Sequence, residues 1–256
     1  MNILVLGDVV SKQGCQFLRS RLHPLKRLKA IDFCIANGEN SASGNGITPS
    51  SAEDLFDCGV DFITTGNHAF RRQEVFDFFD ENDRIIRPAN FYKGCPGRGY
   101  GVVDFGKFSM AIINIAGNYG LDQADNAFLC MERILEKVKS SKIKIVDFHA
   151  EATSEKRAMG FFLDGKVSAV FGTHTHVQTA DEQILPEGTG YITDVGMCGS
   201  VQSVLGVKKE IIIKKMIDGM PARFDAEDGE CMINGCIFEI DESTGKCLSV
   251  ERINIK

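Results

Sequence analysis

In Val167-Ser-Ala-Val-Phe171-Gly-Thr-His-Thr-His176, an apolar run ends in two histidines that are two residues apart. Alternate side chains of a strand point to the same face, so a turn at the end of this strand directs both imidazoles to one point. Two imidazoles that converge in this way are typical ligands of a shared metal ion. The pair alone is weak evidence, and its weight depends on whether other polar residues are placed in the same way.

Other polar residues with ligand chemistry also stand directly after apolar runs. They are Asp8 after residues 2–7, Glu39 and Asn40 after residues 31–37, Asn67 and His68 after residues 60–65, and His149 after residues 143–148. Taken singly, an Asp or Asn at such a position is commonly a helix cap or a turn residue, and a lone histidine is commonly a hydrogen-bonded core residue. Of the five histidines, however, four follow strands and only His23 does not. The five clusters together predict one shared site.

The predicted strands and helices alternate through the first two thirds of the chain, and β structure follows. This order predicts an α/β fold, a sandwich centred on β-sheets with helices outside, and we expect residues 1–256 to form a single domain. The first helix is predicted to begin at Ser11 and to stop before Pro24, and a later helix is predicted to start at Thr48 with Pro49 in its first turn. Hairpins are expected at residues 101–115 and 231–255. Residues 205–220 mix β-branched and charged side chains, so helix and strand both remain open.

Composition excludes several classes of protein. Of the 256 residues, 43% are hydrophobic and 25% charged, which argues against a disordered chain. The formal charge of −6 argues against binding to duplex DNA, which usually requires a basic patch. Neither a membrane-spanning run nor a signal peptide is apparent, and the nine scattered cysteines include no Cys-x-x-Cys pair, so we expect a cytoplasmic protein with reduced thiols.

The candidate ligands combine oxygen and imidazole donors without a thiolate. They are Asp8, Glu39, Asn40, Asn67, His149, His174 and His176. Such a set favours manganese, iron, zinc or magnesium over copper(I) or an iron–sulfur cluster. Seven donors exceed what one tetrahedral ion needs, so two ions about 3.5–4 Å apart, bridged by a carboxylate, fit better. Glu39 is the predicted bridge.

These motifs together resemble those of the calcineurin-like metallophosphoesterase superfamily. They are Gly7-Asp8, Gly38-Glu39-Asn40, Gly66-Asn67-His68, His149 and Gly172-Thr-His-Thr-His176, and the match extends to about residue 200. The chain departs from the usual pattern at two positions: Asp8-Val-Val10 has no histidine, and Gly38-Glu39 stands in place of Gly-Asp. In both respects it resembles the YmdB-like branch, whose members are described as 2′,3′-cyclic-nucleotide 2′-phosphodiesterases. The resemblance implies a four-layer α-β-β-α sandwich of the metallophosphoesterase type.

The resemblance also implies a role for each candidate residue. One ion would be held by Asp8, Glu39, Asn40 and His176, and the other by Glu39, Asn67, His149 and His174. The ions would be divalent or trivalent, with iron or manganese favoured and zinc or magnesium as alternatives. His68 would be unligated and would act catalytically, giving a proton to the leaving oxygen or stabilising charge, with a purely supporting role as the alternative.

The function so implied is hydrolysis of a small phosphodiester, a 2′,3′-cyclic nucleotide, by attack of a metal-bridging hydroxide. Three alternatives remain: a phosphomonoesterase of the same fold, a nuclease of the same fold, and a metal-binding regulatory protein with negligible turnover. Residues 194–199 are expected either to border the substrate pocket or to form a plain surface turn. The loop 41–46 is expected to let a phosphate approach backbone amides. No membrane partner is expected, and a homo-oligomer is compatible with the sequence.

Overall fold

The computed structural model describes residues 1–121 and 124–256, and these residues form two β-sheets with helices on their outer faces. The strands are β1 (Asn2–Leu6), β2 (Asp8–Val9), β3 (Phe33–Asn37), β4 (Phe62–Thr64), β5 (Tyr100–Asp104), β6 (Ser109–Ala116), β7 (Ile143–His149), β8 (Ala169–Thr173), β9 (Gln183–Ile184), β10 (Gly190–Ile192), β11 (Met197–Ser200), β12 (Cys231–Ile240) and β13 (Cys247–Ile255). The helices are α1 (Ser11–Leu28), α2 (Pro49–Asp57), α3 (Phe76–Glu81), α4 (Ala127–Lys137), α5 (Thr153–Leu163) and α6 (Lys209–Asp218).

Parallel strands occupy the centre of each sheet. The first sheet has the order β2-β11-β12-β1-β3-β4, with β13 paired to β12, and β1, β3 and β4 run parallel. The second has the order β5-β6-β7-β8-β10-β9, with β6, β7, β8 and β10 parallel. The antiparallel pairs β5–β6 and β12–β13 confirm the two predicted hairpins.

The two faces of each sheet are buried against different layers. In β1, Ile3 and Val5 pack between the sheets with β6, β7 and β8, whereas Leu4 and Leu6 pack against α1 and α2. On the other side, β6 and β7 pack their outer faces against α4 and α5. This alternation along a strand buries both faces, which is why the strands are nearly continuous apolar runs. The predicted four-layer α-β-β-α sandwich is confirmed.

The carboxyl ends of the parallel strands meet at one edge of the molecule. Leu6 pairs with Ala36 and Asn37 with Thr64 in one sheet, while His149 pairs with Thr173 in the other. The loops that leave these strands therefore begin at the same level, and the predicted site residues lie in those loops or at those strand ends.

Helix α1 continues through Pro24 to Leu28, so the expected end before Pro24 is wrong. A proline inside a helix costs about 3 kcal/mol. Ending the helix there would expose Leu25, whose side chain is buried and contributes about 1.5–3 kcal/mol. It would also lose the contacts of the Lys26 ammonium, which lies 2.7 Å from Asp61 Oδ2 and donates to the Gly59 carbonyl. Tertiary packing offsets the cost of the proline.

The other local predictions mostly hold. Thr48 Oγ1 accepts a hydrogen bond from Ser51 N and caps α2, with Pro49 in the first turn. The open segment 205–220 contains helix α6, which ends at Gly219 with a left-handed φ of 68°. All nine cysteines lie in the described ranges, none forms a disulfide, and all but Cys95 are buried. Within the described part of the chain, no helix is both long and apolar enough to cross a membrane.

Candidate metal centre and cleft

The seven predicted metal ligands lie together at the carboxyl edge of the two sheets. We call them the metal centre: Asp8, Glu39, Asn40, Asn67, His149, His174 and His176. Asp8 is in β2 and His149 ends β7, while the others lie in the loops after β3, β4 and β8. The centre divides into an inner and an outer group of side chains, and Glu39 touches both.

The inner group surrounds the Nε2 atom of His149. This atom lies 2.9 Å from Asn67 Oδ1, 3.1 Å from His174 Nδ1 and 3.2 Å from Glu39 Oε1. Ligand atoms that share an ion at about 2.0–2.2 Å are themselves separated by roughly 3–3.5 Å, so the spacing matches one coordination sphere. One donor atom from each of Glu39, His149 and His174 lies within 4.8 Å of the others, which makes these three residues a group able to hold an ion.

The outer group consists of Asp8, Asn40 and His176. His176 Nε2 lies 3.5 Å from Asp8 Oδ1, and Asn40 Nδ2 lies 3.3 Å from both of these atoms. The amide nitrogen of Asn40, not its oxygen, therefore faces the group, while Asn40 Oδ1 lies 3.0 Å from His68 Nδ1. A half-turn of the amide exchanges the two atoms within the same volume, and a cation favours the oxygen.

Glu39 stands between the two groups. Its Oε1 atom lies 3.2 Å from His149 Nε2 and 3.4 Å from Asn40 Nδ2, and its Oε2 atom accepts a hydrogen bond from His68 N. Its side chain is 1% exposed. A buried carboxylate in this position is suited to the bridging role predicted for it.

Burial and charge oppose each other at the two carboxylates. Burial raises the pKa of Asp8 and of Glu39, but nearby imidazoles more than offset it, so both pKa values lie below their ordinary range. Burial lowers the pKa of His149, yet the charges of Glu39 and Asp8 raise it to about 9. Among the described residues, neither carboxylate pairs with a lysine or arginine. In the part of the chain that the structure describes, the imidazoles are their only counterions. This donor set, rich in oxygen and nitrogen, fits hard or borderline cations.

A buried hydrogen-bond relay behind His149 favours the tautomer with the proton on Nδ1. The Thr173 hydroxyl donates its proton to Asp147 Oδ1 at 2.7 Å. The Oγ1 atom of Thr173 can therefore accept a hydrogen bond from His149 Nδ1–H at 2.9 Å. Asp147 Oδ2 accepts from the Thr64 hydroxyl. Burial raises the pKa of Asp147 to about 7. With the proton on Nδ1, His149 presents the lone pair of Nε2 to the inner group, as a metal ligand must.

The loop that carries His174 and His176 is held in an unusual conformation. Both histidines have positive φ values, 99° and 61°, which non-glycine residues rarely adopt. Asp194 Oδ2 accepts from both the backbone N–H and the hydroxyl of Thr175 between them, and Lys156 Nζ lies 2.6 Å from the same oxygen. Removing one partner of a buried ion pair such as Lys156–Asp194 is strongly destabilising. Asp194 is therefore fixed in place, and its hydrogen bonds to Thr175 hold the loop.

Residues 194–199 therefore support the loop of His174 and His176 through Asp194 and do not line the cleft. Asp194 is 1% exposed and Met197–Ser200 is strand β11, so the expected surface turn is wrong. The alternative, a border of the substrate pocket, is not seen either, because none of these residues is among the described residues that line the cleft. The glycines in this segment suggested a loop, but the strand is buried between β2 and β12.

His68 lies beside the metal centre and faces the cleft. Its backbone N–H donates to Glu39 Oε2, and its ring Nδ1 contacts Asn40 Oδ1. The side chain is 24% exposed, and burial lowers its pKa. His68 thus contacts two of the seven candidate ligands, Glu39 and Asn40, and its role as a proton donor, not a ligand, stays a prediction.

A cleft of about 490 Å³ opens over the metal centre. Ala42, Gly44 and Asn45 of the loop 41–46 are among its lining residues. The approach of a phosphate to the backbone amides of this loop stays a prediction. Sequence reasoning missed other lining residues: Arg71, Glu151, Leu205, Gly206, Val207, Phe224 and Ala226. Glu151 Oε2 lies 3.0 Å from His174 Nε2. Its position two residues after His149 was the sequence signal that could have identified it as a site residue. The remainder come from distant segments without a shared pattern.

Comparison with known proteins gives the family. The profile of a family described as YmdB-like protein matches residues 4–253. The chain belongs to the YmdB-like family. This membership confirms the resemblance drawn from the motifs.

Individual members of the YmdB-like family and related structures match over nearly the whole chain. A Bacillus subtilis protein named 2′,3′-cyclic-nucleotide 2′-phosphodiesterase is 44% identical, covering 100% of this chain and 97% of its own. The crystal structure of a phosphatase from Mycoplasma pneumoniae has a TM-score of 0.95 and 36% identity, covering 100% of this chain and 93% of its own. A hypothetical protein from Thermus thermophilus has a TM-score of 0.93 and 36% identity, covering 99% and 98%.

Proposed function

We propose that this YmdB-like protein is a dinuclear metal-dependent phosphodiesterase that hydrolyses 2′,3′-cyclic nucleotides. The observation that supports this most directly is the position of Glu39, whose buried carboxylate touches both groups of donors at the base of an open cleft. Two cations that share a carboxylate are a recurrent arrangement for phosphoester hydrolysis.

The enzyme class follows from the family, and the substrate from one relative. The chain is a phosphodiesterase, as is the B. subtilis relative that matches it from end to end. The name of that relative specifies a 2′,3′-cyclic nucleotide and cleavage at the 2′ oxygen. We extend that substrate class to this chain because the cleft over the metal centre, about 490 Å³, is of the size that holds small ligands.

Asp8, Glu39, Asn40 and His176 would hold one ion. Glu39, Asn67, His149 and His174 would hold the other. Iron or manganese suits these donors best, with zinc or magnesium as alternatives. When bound, two such cations supply positive charge that activates water and offsets the charge of the phosphoryl oxygens. The carboxylates of Asp8 and Glu39 keep their negative charge for this purpose because both pKa values are low.

His68 is the proposed proton donor. Attack of a water oxygen on phosphorus breaks the bond to the 2′ oxygen, which must then gain a proton. As an imidazolium, His68 carries a proton on Nε2, the nitrogen with no protein partner among the described residues. It becomes a neutral imidazole when that proton passes to the 2′ oxygen. A proton released by the attacking water restores the imidazolium for the next turnover.

Metal analysis and a substrate panel test the proposal together. Protein purified without chelators should contain close to two metal ions per chain and should hydrolyse 2′,3′-cyclic AMP faster than 3′,5′-cyclic AMP, an aryl phosphodiester, an aryl phosphomonoester or short RNA. Chelation should abolish turnover, and re-addition of manganese, iron, zinc or magnesium in turn should identify the ions that restore it. Turnover that persists after complete removal of metal would refute the metal-dependent mechanism.

The same panel separates the alternatives. Preference for the phosphomonoester or for RNA would indicate the phosphatase or the nuclease. A metal-loaded protein that cleaves nothing in the panel would favour a regulatory role. Cytoplasmic location, a homo-oligomeric state and the exclusion of duplex DNA stay predictions from the sequence.

A further inference from the structure

Part of the cleft lining is apolar and is built from two short chain segments that precede and follow helix α6. We call it the apolar wall: Leu205, Val207, Phe224 and Ala226. Val207 and Ala226 form a β-bridge. Lys208 N donates to Asp225 O at 3.0 Å, and Glu227 N donates to Gly206 O at 2.9 Å. Backbone hydrogen bonds therefore hold the two segments together, although neither lies in a sheet.

Phe224 is the aromatic residue of this wall. Besides histidines, it is the only aromatic side chain among the described residues that line the cleft. The ring is 39% exposed. The ammonium of Lys215 lies 4.7 Å from the ring centroid, over one of its faces. A phenyl ring that is anchored on one side and open to a cleft is suited to stacking against a flat ligand.

The apolar wall is joined directly to the metal centre. His176 Nδ1 lies 3.1 Å from the carbonyl oxygen of Leu205, within hydrogen-bond distance, and Leu205 has a positive φ of 55°. A ligand whose phosphate reaches the metal centre can therefore extend its other end along the wall. The polar loop residue Asn45 and the cation Arg71 also line this cleft. The cleft thus combines polar and apolar lining residues around the metal centre.

We propose that the apolar wall is a nucleobase subsite, in which the base of the substrate stacks on Phe224 and lies against Leu205 and Val207. This inference rests on the proposed function, and it adds the part of the substrate that the metal centre does not contact. The wall side chains offer no hydrogen-bond donor or acceptor, and every base has a π face. The subsite therefore accepts all four bases with little discrimination.

The test compares a nucleotide with a substrate that lacks a base. Stacking of one base on an aromatic side chain is worth about one order of magnitude in affinity. For Phe224→Ala we expect kcat/KM for 2′,3′-cyclic AMP to fall about tenfold, mainly through KM, while kcat/KM for methyl riboside 2,3-cyclic phosphate stays unchanged. Phe224→Trp should retain the wild-type preference for the nucleotide.

Phe161→Ala is the matched control. Phe161 is an exposed phenylalanine on α5, and the Arg157 guanidinium lies 4.7 Å from its ring centroid, so its surroundings resemble those of Phe224 outside the cleft. This variant should leave both substrates unaffected. Circular dichroism of both alanine variants verifies that the fold is retained.

The outcomes separate the subsite from the proposed function. If Phe224→Ala lowers kcat/KM equally for both substrates, or for neither, the subsite is refuted while the phosphodiesterase stands. If the wild-type protein cleaves no phosphodiester, calorimetry with 3′-AMP on the metal-loaded protein tests the subsite independently of turnover. Binding of 3′-AMP that is about tenfold weaker in Phe224→Ala than in the wild type supports the subsite even though the proposed activity fails, and equal binding refutes the subsite.

Discussion

The metal centre and the apolar wall face the same cleft but are built in opposite ways. The metal centre lies at strand ends, and its two carboxylates are at most 1% exposed and tied to neighbouring side chains. The apolar wall lies in irregular chain between β11 and β12, and its side chains remain open to the cleft. Rigid sheets suit groups that must converge within tenths of an ångström, whereas a loop suits contacts that only add affinity. Changes at the metal centre should therefore alter turnover, and changes around the open cleft should alter substrate binding.

The largest effect is expected at Glu39, where the two groups of donors meet. Glu39→Gln removes a buried negative charge and one ligand oxygen, and we expect kcat on 2′,3′-cyclic AMP to fall by about a thousandfold or more. Metal content measured on the same sample should also fall. Glu53→Gln, the same change on an exposed face of α2, is the control. A Glu39→Gln enzyme with most of its activity would show that no shared carboxylate is required.

His68 tests whether a residue can serve turnover without holding an ion. His68→Ala should lower kcat by on the order of a hundredfold, because the leaving oxygen loses its proton donor. Elemental analysis should find the metal content unchanged. The comparison variant is His23→Ala, which alters the one histidine outside the site. Loss of both ions in His68→Ala would identify His68 as a ligand and would exclude the proton-donor role.

Thr173 tests the support behind the metal centre. Thr173→Val keeps the shape of the side chain but removes the hydroxyl that links His149 to Asp147, and we expect about a tenfold to hundredfold loss of metal affinity or activity. Thr173→Ser restores the hydroxyl and should recover most of it. Equal behaviour of the two variants would mean that the relay does not set the tautomer of His149.

The smallest effect is expected at Arg71, which lines the cleft. Among the described residues, ion pairs of arginines involve Arg19, Arg98 and Arg252 but not Arg71, so its guanidinium is available to attract an anionic substrate. Arg71→Met should raise KM roughly threefold to tenfold at low ionic strength with little change in kcat, and the difference should shrink in salt. Lys93→Met, at an exposed position outside the cleft, should not change KM. A salt-independent effect would indicate a direct contact with the substrate.

The convergence of the seven candidate ligands could be predicted from the sequence because strand ends follow a simple rule. Each ligand stands directly after an apolar run, and parallel strands bring their carboxyl ends together. The orientation of Asn40 and the support of the His174 loop by Asp194 could not be predicted. Both depend on contacts between segments far apart in the chain, such as Lys156 with Asp194.

The apolar wall could not be predicted for a different reason. Residues 205–207 and 224–226 show neither helical nor strand periodicity, and they meet only through the β-bridge between Val207 and Ala226. Pro24 illustrates the converse case, in which a strong local signal predicted a helix end. The burial of Leu25 and the contacts of Lys26 outweighed that signal. Local sequence patterns therefore predict the positions of side chains at strand ends. They fail where contacts between separate segments determine the structure.

Residues 205–227 close on themselves through the backbone hydrogen bonds of Lys208 with Asp225 and of Glu227 with Gly206, so we expect this stretch to be exchangeable between family members as a unit. It leaves the first sheet after β11 and returns to it at β12, and these two strands pair directly with each other. Chimeras that receive the corresponding stretch from another family member should keep the same catalytic chemistry and acquire the donor's affinity for the base of the substrate. Diversification of substrate range within one catalytic scaffold would then need only recombination at two strand junctions.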